Sequence, residues 1–119
     1  MSQISTQYVS VEERGDVRVV TITEEKILND KVIEGIQKEL NALLEDECKK
    51  RFIIDFQMTT FVCSSMLGKL DSFKRGVKAR GGTLVLCGMN TEIHGVFLLT
   101  NLVKIFEIRK DLDEAMNSF

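Results

Sequence analysis

The sequence contains no proline and no tryptophan, one histidine and three cysteines. Without proline, glycine and asparagine must mark the turns and helix ends, so segment boundaries are only softly punctuated. His94, the sole histidine, sits inside an amphipathic segment beside Gly95, which is no place for the base of a Ser-His-Asp hydrolase. Cys48, Cys63 and Cys87 are odd in number and have no CxxC spacing, so neither a disulfide framework nor a zinc site is expected. GxGxxG and GxxxxGK[ST] are both missing, and Gly81-Gly82 leads into a strand rather than a helix, so no nucleotide-phosphate cradle is present. No catalytic residue, metal or cofactor is expected.

No uncharged apolar run approaches the roughly 18 residues needed to span a bilayer. Met1–Gln7 has neither a basic opening nor an apolar stretch. The expectation is a cytoplasmic protein with no membrane partner. Sixteen basic and eighteen acidic side chains give a net charge of −2, which offers no whole-chain footprint for nucleic acid.

A chain of 119 residues suffices for one core, so residues 1–119 are taken as one domain. Alternating fragments over residues 5–12, the turn Gly15-Asp16 and the β-branched run Val17–Thr23 predict an opening hairpin. Asn29 or Asp30 then caps a helix reaching about Cys48, with Val32, Ile36, Leu40, Leu43 and Leu44 at the three-and-four spacing of one buried face. The nearly continuous apolar runs Arg51–Phe56 and Thr83–Cys87 predict strands buried on both sides of a sheet. Between them, Met66, Leu70, Phe73 and Val77 form the stripe of a second helix that starts at Ser64-Ser65 and stops at Gly81-Gly82.

Asn90 caps a third helix, with Ile93, Val96, Phe97 and either Leu98 or Leu99 inward, and Asn101 ends it in the left-handed conformation. Ile105–Ile108 reads as the last strand, and Asp111–Glu114 as a capping box for a short terminal helix. The order is ββαβαβαβα, an α/β fold with a mixed, largely parallel sheet and helices packed against it.

The segment Thr59–Gly68 stands out, because a buried strand runs into a loop that delivers two hydroxyls to a helix N-terminus. Unpaired N–H groups and the helix dipole favour negative charge there. A phosphate on such a hydroxyl changes the surface by about −2 charges, which suits a reversible interaction switch. Taken alone, the serine is better explained as a helix cap, and only a family resemblance reverses that preference.

Phe52 to Phe119 resembles the STAS family, the domain of bacterial anti-sigma-factor antagonists. The resemblance lies in an apolar strand, a loop close to Asp-Ser-Ser-Gly-Leu-Gly, an amphipathic helix and Gly-Gly before a second apolar strand. These correspond to Phe52–Phe56, Cys63-Ser64-Ser65-Met66-Leu67-Gly68, and Val77–Gly82 leading into Thr83–Cys87. Met89–Ile93 and Leu99–Phe106 resemble the third helix and last strand, and the N-terminal elements fit the same order.

The resemblance implies a regulator that is not an enzyme, acts in partner switching and binds an anti-sigma factor that is itself a serine kinase. Ser64 is the implied phosphate acceptor, and a serine phosphatase the implied reversing partner. Cys63, Ser65 and Met66 beside it, and Glu24 and Glu25 from the loop before the first helix, are the implied partner contacts. Cys63 replaces the family's aspartate and Met66 its glycine. Both departures favour an alternative, a non-phosphorylated STAS scaffold or subunit of a larger signalling or transport complex.

Overall fold

The computed structural model describes residues 3–46 and 50–119. In chain order its strands are β1 (Gln3–Ser5), β2 (Val9–Arg14), β3 (Val17–Ile22), β4 (Lys26–Ile27), β5 (Arg51–Asp55), β6 (Phe61–Val62), β7 (Thr83–Cys87) and β8 (Glu107–Arg109). The helices are α1 (Asp30–Leu43), α2 (Ser64–Ala79), α3 (Thr91–Leu99) and α4 (Leu112–Met116), with a 3-10 turn at Leu102–Lys104.

The hairpin forms as expected, with β2 antiparallel to β3 and Gly15 at φ +62° in its turn. A left-handed φ of this kind costs glycine nothing sterically. β5, β7 and β8 then join β3 in parallel, giving the six-stranded order β1-β2-β3-β5-β7-β8, so the mixed, largely parallel α/β architecture is found.

Alternation along the strands divides the core in two. Val20, Ile22, Phe52, Ile54 and Leu86 face α1, α2 and α3, while Val19, Ile53, Val85 and Cys87 face Ala115 of α4. Coverage on both sides explains why β5 and β7 are apolar almost throughout. The α2 stripe buries Met66, Leu67, Leu70, Phe73 and Val77, and Phe73 meets Phe52 of β5 edge to face, with centroids 5.6 Å apart. At the other end of the sheet, a Cβ on Gly35 of α1 would lie 2.1 Å from the Tyr8 ring, so this close crossing requires glycine.

Four expectations are corrected. Helix α1 ends at Leu43 rather than near Cys48; Leu44 is its C-cap, and Cys48 itself lies outside the described residues. The last strand is Glu107–Arg109, because Phe106 turns into the core against Phe97, with centroids 5.7 Å apart. Neither Leu98 nor Leu99 points inward; they are 53% and 87% exposed, and α3 is held by Ile93 and Phe97. The order also contains β1 and the two-stranded parallel pair β4–β6, which the pattern ββαβαβαβα lacked.

Candidate functional site

The carboxyl ends of the parallel strands carry the loops that hold Ser64, the usual place for a site on an open α/β sheet. A short parallel ladder zips two of these loops together, with Lys26 opposite Phe61 and Ile27 opposite Val62. The Thr60 N–H donates to the Glu25 carbonyl (2.7 Å), the Thr59 hydroxyl to the Glu24 carbonyl (2.8 Å) and the Cys63 N–H to the Ile27 carbonyl (3.0 Å). Asn90 extends the tie to the β7–α3 turn, its side-chain amide donating to the Thr60 carbonyl at 2.8 Å. Glu24, Glu25 and the Cys63-Ser64-Ser65 segment are therefore brought to one face.

Asp55 fastens this platform from below. It is buried at the end of β5 and accepts from the Gln57 N–H at 3.0 Å. Gly88, at φ +74°, lies so close that a Cβ there would stand 2.2 Å from Asp55 Oδ1. Burial, above all, pushes the Asp55 pKa up from its ordinary 3.8, while the Gln57 N–H and the Cys87 thiol oppose the shift. Cys87 is buried in turn and pushed up to about 12, which leaves its thiol protonated and inert.

A raised folded-state pKa means that Asp55 contributes most stability below its unfolded value and that this contribution is lost as pH rises through the folded value. Asp55→Asn keeps the acceptor for Gln57 and removes the charge. It is expected to flatten the dependence of stability on pH over the range above about 3.8. Urea unfolding of both proteins across that range checks this, and parallel curves would contradict it.

Ser64 and Ser65 are both exposed at the first two positions of α2. Capping does not explain Ser64. The N-cap position is Cys63, in extended backbone, and it makes no side-chain cap hydrogen bond. The contrast with the other α-helices is sharp: Asn29 accepts from the Val32 N–H, Asn90 from the Ile93 N–H and Asp111 from the Glu114 N–H. Each of those helices also has an acidic residue in its first turn, and α2 has none. Of the α-helices described, α2 alone begins with neither a side-chain acceptor nor a carboxylate to meet its free N–H groups.

Cys63 is half-buried beside the hydroxyls, and Met66 is fully buried. The expectation that Met66 contacts a partner is corrected, because the inward stripe of α2 draws its side chain into the core. Cys63→Asp supplies the missing cap and is expected to stabilise the protein by about 1 kcal/mol. A thermal melt rising by several degrees checks it, and an unchanged melting temperature would contradict it.

Sequence reasoning passed over Leu28, Met58 and Phe61, which stand 56%, 52% and 37% exposed on these same loops. Leu28 and Phe61 line a cleft of about 670 Å³ together with Lys26, Thr60, Asn90, Thr91 and Glu92. Clustered apolar exposure at loop tips is a mark of an interaction surface. The available signal was that Leu28 and Phe61 fit no buried stripe.

The STAS domain family model matches residues 8–115. The chain belongs to the STAS family. Its fold is shared by an anti-sigma factor antagonist from Mycobacterium paratuberculosis, 20% identical, with 92% of this chain and 91% of that one covered at a TM-score of 0.82. The phosphorylated form of the Bacillus cell fate determinant SpoIIAA is similar over 92% of this chain and 97% of its own, at 17% identity and a TM-score of 0.68. A sulfate transporter family protein from Wolinella succinogenes is 17% identical, over 88% of this chain and 85% of that one, with a TM-score of 0.72. Among the described residues of this STAS domain, no His, Cys, Asp and Glu side chains group as metal ligands, and no helix is long and apolar enough to cross a membrane.

Proposed function

We propose that this STAS protein is an anti-sigma-factor antagonist that binds an anti-sigma serine kinase and is switched by phosphorylation of Ser64. The observation that carries the reading is the uncapped, carboxylate-free start of α2 beneath an exposed Ser64 hydroxyl. Free N–H groups and the positive helix end tolerate a phosphate placed there, so modification need not disturb the fold. The loop that leads into Ser64 is tied by the short β4–β6 ladder to the loop that carries Glu24, Glu25 and Leu28, so a partner docking on these loops would meet the phosphate. There it adds about two negative charges and a strongly hydrated group, which opposes docking onto an acidic or apolar surface. A phosphatase restores the binding form.

Calorimetric titration of a serine kinase of the source organism that binds this chain tests the reading. Enzymatic phosphorylation is expected to weaken binding at least tenfold, about 1.4 kcal/mol. Equal affinity of both forms would contradict it.

A second reading has two observations in its favour. Cys63 stands where the family pattern has aspartate, and the fold is shared with a sulfate transporter family protein. In that reading the chain is a non-phosphorylated scaffold or a subunit of a larger complex, and it binds its partner without ever accepting phosphate.

A further inference from the structure

At the far end of α2, three lysines border one cleft. Lys74 and Lys78 come from its last turns and Lys104 from the 3-10 turn, and together they line a cleft of about 290 Å³. Leu84 and Phe106 give the cleft an apolar floor, and Thr83 adds a hydroxyl. Lys74 lies 6.0 Å from the Phe106 ring centroid, which holds its amine over the cleft.

Among the described residues none of the three lysines has an ion-pair partner. Of the nearby carboxylates, Asp71 pairs with Arg75 at 2.9 Å and attracts Lys74 only at longer range, and Glu107, which also lines the cleft, pairs with Arg109 at 3.5 Å. Partial burial, followed by the neighbouring Lys78 ammonium, depresses the Lys74 pKa. Two like charges are thus held side by side with no anion between them.

Cations near a helix C-terminus ordinarily need no explanation beyond the dipole. That account does not cover this group, because Lys104 belongs to another element and the approach of Lys74 to Lys78 is repulsive. The dipole leaves roughly half a negative charge at the end of α2, which three full positive charges outweigh.

We propose that this cleft is a binding site for a phosphate group, carried by free phosphate or by a small phosphate ester. A dianion between Lys74 and Lys78 removes their repulsion, Lys104 and the Thr83 hydroxyl complete its donors, and an ester's apolar body rests on Leu84 and Phe106. At 1.5 Å per residue, Lys74 and Lys78 lie about 15 and 21 Å along α2 from Ser64, so the site is open whether or not Ser64 is modified.

The test is an amide NMR titration of the full chain at constant ionic strength with sodium phosphate and, separately, phenyl phosphate. Saturable shifts are expected at Lys78, Thr83 and Lys104, weakened at least tenfold in Lys74→Gln/Lys78→Gln and also reduced in Lys104→Gln, a change confined to an exposed turn. Tighter binding of phenyl phosphate assigns the site to an ester, and equal binding to free phosphate. No saturable shift, shifts of unchanged affinity in both variants, or tighter binding of a hexaglutamate peptide at the same amides would overturn the proposal.

Discussion

Ser64→Ala is expected to abolish phosphate incorporation by the partner kinase, whereas Ser65→Ala retains it. Both hydroxyls are exposed, so accessibility does not separate them. The separation comes from the family resemblance, which implies the first serine of the loop as acceptor, and from position. Ser64 follows the uncapped Cys63 directly and is nearest to the ladder that joins residues 26–27 to 61–62. Removing the Ser64 oxygen leaves the fold intact, because α2 draws no cap from it. Ser64→Ala is therefore expected to bind the kinase as the unmodified protein does and to remain bound in the presence of ATP. Incorporation of labelled phosphate into the two variants checks the assignment; retention in Ser64→Ala with loss in Ser65→Ala would move the acceptor by one residue.

Phe73→Ala is the second change with a large effect, an expected loss of about 3–5 kcal/mol in urea unfolding. Phe73 is 1% exposed and sits edge to face on Phe52, itself 1% exposed, at the contact that seats α2 on β5. Truncation removes the buried ring and leaves a cavity that two neighbouring elements cannot close without moving. Against a typical total of 5–15 kcal/mol this is a large share of the stability. A loss under about 1 kcal/mol would mean that α2 is seated by other contacts.

Much of this architecture was legible because it depends on short-range pattern. β7 runs from Thr83 to Cys87 as expected, and Asn90, Asn101 and Asp111 perform the expected cap and turn roles, Asn101 at φ 61°. The inward direction of Met66, Leu70, Phe73 and Val77 also followed from helical spacing. In α3 the same method could not decide, since Val96, Phe97, Leu98 and Leu99 are consecutive apolar residues and cover every direction around the helix. The long-range contact of Phe97 with Phe106 settles it.

The candidate site was legible in its hydroxyls but not in its framework. Two-residue strands such as β4 and β6 are too short to show any period, so their pairing had no sequence signal. The contact of Asp55 with Gly88 joins residues 33 apart in the chain, and it is why Gly88 must be glycine. The missing cap at Cys63 becomes informative only beside three capped helices.

The central claim is tested most directly by locating phosphate after incubation with the partner kinase and ATP. Trypsin releases Phe52–Lys69 as one peptide holding both serines and Thr59 and Thr60, and fragmentation within it assigns the site. A phosphate on Ser64, absent from Ser64→Ala, is the predicted result. A stable complex with the kinase in which this peptide never gains phosphate would contradict the account and leave the scaffold reading in its place.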